Sequence, residues 1–356
     1  SDNSASHGGG MANDSSPATI INCTFLPNSA SLNGGGIYND QSSPSLTDCT
    51  FSGNTASHDG GGLCNRDNSS PIITDCTFCD NAAQSGGGHG GGINNDQSSP
   101  FVINCTLSGN RAYLNGGGMY NWDCSPIITN CVFYANSTDF VESHGGGMDN
   151  HTSFPTITNS ILWNNTPDGI CNRNADPEVT YCDVQVNPGS PVYSGTGNIE
   201  AQPLFVNPGS GDFHLLACSP AIDKGSNVAP ELPDYDFEGD ERIFDGNYSG
   251  TPTVDMGIDE AATIRVDIYM DLQGSNRPAE GWEVPIDIGF YEPGVPDAWL
   301  LNPGSAICHF SGTTTAVSTV SGTRAYFACP ANPGTYDITA DSATTLLNLK
   351  RGIYLE

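Results

Sequence analysis

The sequence predicts an all-β chain: a right-handed parallel β-helix of about seven regular coils plus irregular closing coils, followed by a small β-sandwich. Three observations predict it. A Gly-Gly-Gly triplet recurs at Gly8, Gly34, Gly60, Gly90, Gly116 and Gly145, at intervals of 26, 26, 30, 26 and 29 residues. Every interval carries the same short apolar stretches separated by Gly, Pro, Asn and Ser, which are turn residues. The composition also opposes helices, with 43 Gly and 24 Pro in 356 residues; both types are costly in a helix interior.

The elements of one copy follow in order. After each triplet come an apolar residue, a variable one and an Asn, giving the set Asn13, Asn39, Asn65, Asn95, Asn121 and Asn150. A degenerate seventh copy keeps Gly169, Ile170 and Asn172. A polar turn leads to a Pro and to a short strand marked by Ile20, Leu46, Ile73, Val102, Ile128, Ile157 or Val179. An Asn or Asp follows (Asn22, Asp48, Asp75, Asn104, Asn130, Asn159), then a Cys-Thr-Phe type strand. Three such strands cannot pair within one copy, but each can pair with its equivalent in the next, as in a solenoid with a coil spacing of about 4.8 Å. Cys and Phe two residues apart point the same way. The Ile lies three before the Cys, so parity breaks between them, and the intervening Asn or Asp is expected to bend in the left-handed region. Inward ladders should therefore form from Asn39, Asn65, Asn95 and Asn121, and from Cys23, Cys49, Cys76, Cys105 and Cys131. The thiols are expected to be reduced and buried.

The repeat ends in Phe-x-x-Asn: Phe25 to Asn28, Phe51 to Asn54, Phe78 to Asn81 and Phe133 to Asn136. With the Gly-Gly-apolar mark, this resembles the repeats of polymorphic outer-membrane proteins over about residues 1–185. The resemblance implies a β-helical passenger or surface protein, without the membrane barrel that often follows. Residues 186–262 are expected to form irregular closing coils that cap the helix. Their runs Gln202 to Val206, Asp212 to Leu215, Ser219 to Asp223, Asp236 to Asp240 and Asp255 to Glu260 look like the closing coils of secreted bacterial β-helix proteins, a match that brings no enzyme activity. Residues 263–356 show strand alternation at Ile264 to Met270 and Val284 to Phe290, which suggests a sandwich. Their last strands resemble the transthyretin-like (Ig-like) modules of secreted bacterial proteins. Cys308 and Cys329, separated by two expected strands, are candidates for a disulfide stapling this domain of under 100 residues.

Charge narrows the function classes. Asp and Glu number 40 against 10 Lys and Arg, a formal net charge of −30. Such a surface repels nucleic acid and anionic membranes. No run approaches the roughly 20 apolar residues of a membrane span. Dense acids at Asp236, Glu238, Asp240 and Asp245 in a Gly-containing loop make a candidate Ca²⁺ site, since oxygen ligands suit that ion. His7, His58 and His144 precede triplets and read as turn residues. Cys76-x-x-Cys79 places its thiols on opposite faces and does not suit redox chemistry. Of eight Asn-x-Ser/Thr sequons, most coincide with ladder or turn positions of the coil.

No catalytic residues are expected, and the chain reads as a non-enzyme. β-Helical lyases need clustered Asp and a basic residue near the scissile carbon, but the chain has just two Lys, Lys224 and Lys350. The expected function is an extracellular structural or adhesive protein of the cell surface. The alternative is a pectate-lyase-like carbohydrate-active or glycan-binding β-helix, with surface glycans as partner. Ser1 to His7 aligns with Ser52 to His58, so the sequence begins in mid-coil. Either residues upstream of Ser1 complete that coil, or a neighbouring subunit covers its edge, since an uncovered coil edge recruits further strands; the expected partner is another copy of the chain, head to tail. A strand near Gly352 to Glu356 would supply the cover by β-augmentation.

Overall fold

The computed structural model describes residues 1–186, 192–216, 219–245 and 251–261 in full, and beyond them the backbone of six short strands. It comprises two compact units, Ser1–Ala261 and Ala262–Glu356. In the first unit, about seven coils stack as parallel strands with equivalent residues in register. Three sheets of seven strands run along the stack. The Gly-triplet sheet extends from Met11–Asp14 to Ile170–Arg173, the proline sheet from Thr19–Ile21 to Glu178–Thr180, and the Cys-Phe sheet from Thr24–Phe25 to Asp183–Val184. Pairings such as Asn39↔Asn65 and Phe51↔Phe78 keep like residues level with one another.

A fourth, narrow sheet corrects the expectation of three strands per coil. Its six strands hold two residues each, from Ser4–Ala5 to Ser137–Thr138. The inward residue in four of them is Ala30, Ala56, Ala83 or Ala112, each 1% exposed or less. A lone alanine buries little apolar area and leaves a weak pattern in the sequence.

Four corners join the four strands, and most carry a residue in the left-handed region. The Asn or Asp expected there does adopt it: Asn22, Asp48, Asp75, Asn104, Asn130 and Asn159 have φ between 49° and 53°. The triplet follows a second logic. Gly34 has φ +70°, whereas a Cβ on Gly35 would stand 2.3 Å from the carbonyl oxygen of Gly61 in the next coil, and one on Gly36 would stand 2.5 Å from that of Gly62. The first glycine supplies a turn and the other two admit the neighbouring backbone.

The interior is a set of ladders. Phe25, Phe51 and Phe78 stack with ring centroids 4.7 and 4.5 Å apart. The predicted Asn ladder forms from Asn13 to Asn172, each Nδ2 donating to the next Oδ1 at 2.8–2.9 Å. A second ladder stands at the Phe-x-x-Asn position, from Asn28 to Asn165. In the Cys ladder, the backbone N–H of Cys49, Cys76 and Cys105 points to the next coil's sulfur at 3.4 Å, with Ser160 standing in one rung above Cys131. Cys49, Cys76, Cys105 and Cys131 are buried and free. Cys23 is a correction: it is exposed, because it lies in the first coil with no described coil beneath it. Burial raises the thiols of Cys105 and Cys182, the latter to about 12, so they remain neutral at ordinary pH.

The segment expected as closing coils divides in two. Residues 192–199 lie over the seventh coil, where Asn198 Oδ1 accepts the Cys182 N–H and Ile199 bridges Asp183 in parallel. The described residues between 202 and 261 form no further parallel coil. They lie along the outer flank of the stack, where Phe205, Phe213, Ile222, Met256 and Ile258 pack on Val132 and Ile161. Those two residues occupy outward positions of the Cys-Phe sheet. Their apolar side chains give the flank a hydrophobic footing that coil winding does not need.

In the second unit, Phe290–Tyr291 pairs antiparallel with Trp299–Leu300, Val317–Ser318 with Ala325–Tyr326, and Thr335–Ile338 with Arg351–Tyr354. The proposed Cys308–Cys329 pair lies outside the described residues. No described helix is long and apolar enough to cross a membrane.

Candidate functional site

The flank segment creates the site. It is fastened to the corner residues of the fourth, fifth and sixth coils. Asn104 Nδ2 donates to the Tyr235 carbonyl at 3.0 Å, Asn130 Nδ2 to those of Asp255 and Gly257 at 3.1 and 3.0 Å, and Asn159 Nδ2 to that of Ser226 at 3.2 Å. The neighbouring corners, Asp48 and Asp75, carry acids instead and line an open cleft. An amide can donate to a covering carbonyl, and a carboxylate cannot. Between Asp75 and Asn104, the change from Asp to Asn coincides with the start of the flank's cover.

The cleft, of about 580 Å³, lies between the Cys-Phe sheet and the flank. The coils contribute Asp48, Asp75 and Tyr134 to its lining, and the flank contributes Phe213 and Phe237. Behind it, Arg242 is the largest fully buried side chain among the described residues. Its Nη2 donates to Asn104 Oδ1 and to the Ile258 carbonyl, both at 2.6 Å, and its Nη1 stands 3.8 Å from Glu260. Asp255 receives the N–H groups of Asp223 and Ala261 at 2.6 and 2.9 Å. Burial raises the carboxyls of Asp255 and Glu260 well above the usual range. This buried polar cluster closes the flank onto the stack.

The four predicted Ca²⁺ ligands have separate placements. Asp236 turns inward: its Oδ1 accepts three N–H bonds, from Glu238, Gly239 and Asp240, each at 2.9 Å, and its Oδ2 accepts the Glu260 N–H at 3.1 Å. It organises the loop with both oxygens. Asp240 lies in the same turn, half-buried, and Asp245, farther on, is also half-buried. Glu238 points away from them to His214, whose Nε2 is 3.0 Å from its Oε2. Among the described residues, ligand atoms of His214, Glu238 and Asp259 lie within 4.8 Å of one another, so Glu238 alone of the four acids joins that cluster. His7, His58 and His144 stand outside it; His7 instead faces the Tyr38 ring at 4.7 Å.

His214 and Asp259 were not singled out by sequence. His214 sits on the strand Asp212–Leu215, with Nδ1 2.5 Å from Asp212 Oδ1. Partial burial lowers its affinity for a proton, but hydrogen bonds to Asp212 and Glu238 outweigh this and raise it to about 9. Burial raises Asp259 to about 6. The signal available in sequence was the polar His between inward Phe213 and Leu215, which placed it on the strand's outward face.

No curated protein and no solved structure matches this chain. The family model described as "Right handed beta helix region" matches residues 9–201, over half of the 356-residue chain. With the stacked parallel coils, that match shows that this chain belongs to the right-handed β-helix family.

Proposed function

We propose that this chain is an extracellular structural or adhesive surface protein whose coils serve as a stiff acidic scaffold. The observation that supports it most is the direction of its chemistry. Coil after coil, polar and apolar side chains are committed to ladders with the coils above and below, while the net charge of −30 keeps the exterior soluble and repelled from like surfaces. Head-to-tail association of copies follows the same logic, because in-register strands can extend onto another coil. The reading includes no catalysis. Asp48 and Asp75 at the cleft are left-handed corner residues, which accounts for them without a chemical role.

The test is immunogold labelling of intact cells that express the gene, paired with sedimentation of the purified chain over a hundredfold concentration range. Labelling of intact cells is expected, with sedimentation rising with concentration. Labelling that requires lysis would overturn the surface assignment. A constant monomer would remove the head-to-tail association and leave a solitary scaffold.

A further inference from the structure

We propose that His214, Glu238 and Asp259 form a binding site for one divalent first-row transition ion, with Zn²⁺ as the probe. The three come from separate stretches of the flank, yet their ligand atoms gather within 4.8 Å. An imidazole nitrogen with two carboxylates is a donor set for Zn²⁺ and its neighbours, whereas Ca²⁺ takes oxygen ligands alone.

Each ligand is also held from behind. Asp212 Oδ1 engages His214 Nδ1 at 2.5 Å, which directs Nε2 toward Glu238. A carboxylate behind a ligating histidine is the usual outer support of such sites. Asp259 is 6% exposed and accepts the Leu215 N–H on Oδ2 at 2.7 Å, so it is anchored to the strand that carries His214. Glu238 is tied by its own N–H to Asp236, and its side chain is about half exposed. The site is therefore firm on the Asp259 side and reachable from solvent on the Glu238 side. Three carboxylates, Asp212, Glu238 and Asp259, surround one imidazole, an excess of negative charge that a dication would balance.

Binding has a structural consequence. Bonds of about 2.0–2.2 Å require the donors to draw closer, and the exposed Glu238 side chain can supply that movement. An ion there joins the strand Asp212–Leu215, the Asp236–Asp240 turn and residues 255–260. Those stretches clasp the coils, so the ion acts as a rivet on the flank.

The experiment is calorimetric titration of the full chain, freed of metal by chelator, with Zn²⁺ and separately with Ca²⁺. One saturable Zn²⁺ site per chain is expected, with Ca²⁺ at least tenfold weaker. Glu238→Gln and His214→Gln should each weaken Zn²⁺ binding at least tenfold, and Asp212→Asn about 10–100-fold. His58→Gln should change nothing. Thermal unfolding with and without Zn²⁺ is the second readout: the ion should raise the midpoint of the intact chain and not that of Glu238→Gln. If His214→Gln fails to fold, the half-exposed Glu238 position decides. Absence of a saturable Zn²⁺ site, or Glu238→Gln binding as the intact chain does, would overturn the proposal.

Discussion

Replacing Asn110 by Ala tests what the second asparagine ladder contributes. Four hydrogen bonds end at this side chain: Oδ1 accepts from the N–H and Nδ2 of Asn81, each at 3.0 Å, and Nδ2 donates to the Phe78 carbonyl at 2.9 Å and to Asn136 Oδ1 at 3.0 Å. At about 1 kcal/mol net per bond, the loss is about 4 kcal/mol, with more from any donor left unpaired. Asn95 in the first ladder supplies the control. It is equally buried and leaves a cavity of the same size, but makes two side-chain bonds, with Asn65 and Asn121. Asn95→Ala should therefore cost about 2 kcal/mol by the same reckoning. Urea unfolding followed by far-ultraviolet circular dichroism measures both. Equal losses, or a loss under about 1 kcal/mol for Asn110→Ala, would refute bond counting as the basis of ladder strength.

Three further outcomes follow from the geometry. In the folded chain, Cys49, Cys76 and Cys105 should resist alkylation while the exposed Cys23 reacts at once; mass spectrometry after a timed pulse reads this, and early labelling of Cys76 would contradict its register. Gly35→Ala should lower the melting temperature severely, since its Cβ meets a carbonyl oxygen at 2.3 Å, whereas Gly86→Ala, with nothing within 4 Å, should leave it unchanged; a tolerated Gly35→Ala would dismiss backbone approach as the reason for the triplet. Asp183 is fully buried, and its desolvation raises it from 3.8 to about 7, with the Glu200 charge adding to the rise and the Ala201 N–H opposing it. A carboxyl raised on folding stabilises fully below its unfolded value and loses that contribution as pH climbs to its folded value. Stability should therefore fall between about pH 4 and 7, and Asp183→Asn should reduce that slope by denaturant titration; an unaltered slope would show the carboxyl to be unperturbed.

The coils were legible because their physics is local and repeated. Asn130 or Asp75 at a corner announces a left-handed residue, and Cys two before Phe announces an inward pair. The narrow sheet escaped notice because Ala56 and Ala83 carry no apolar signature beyond one methyl group. The flank was illegible for a different reason. Asn104 meets Tyr235 across 131 positions of sequence, and no periodicity encodes such a meeting. The candidate site shares that difficulty. Glu238 stood out in an acid-rich loop, but the company it keeps depends on where the Asp212–Leu215 strand and Asp259 come to rest. The same loop misled about Asp236, whose oxygens serve backbone donors.

The corner column has a consequence for how such a chain can change over generations. Coils one to three meet their neighbours through the same Asn, Phe and Cys ladders, so a duplicated or deleted copy there would find equivalent partners. Coils four to six are different, because Asn104, Asn130 and Asn159 are each addressed by a particular carbonyl of the flank. An inserted copy in that stretch would move one attachment point by a full coil, about 4.8 Å, and strand the others. Length variation among descendants of this gene should therefore gather on the N-terminal side of Asn104, with the fastened coils inherited as a block.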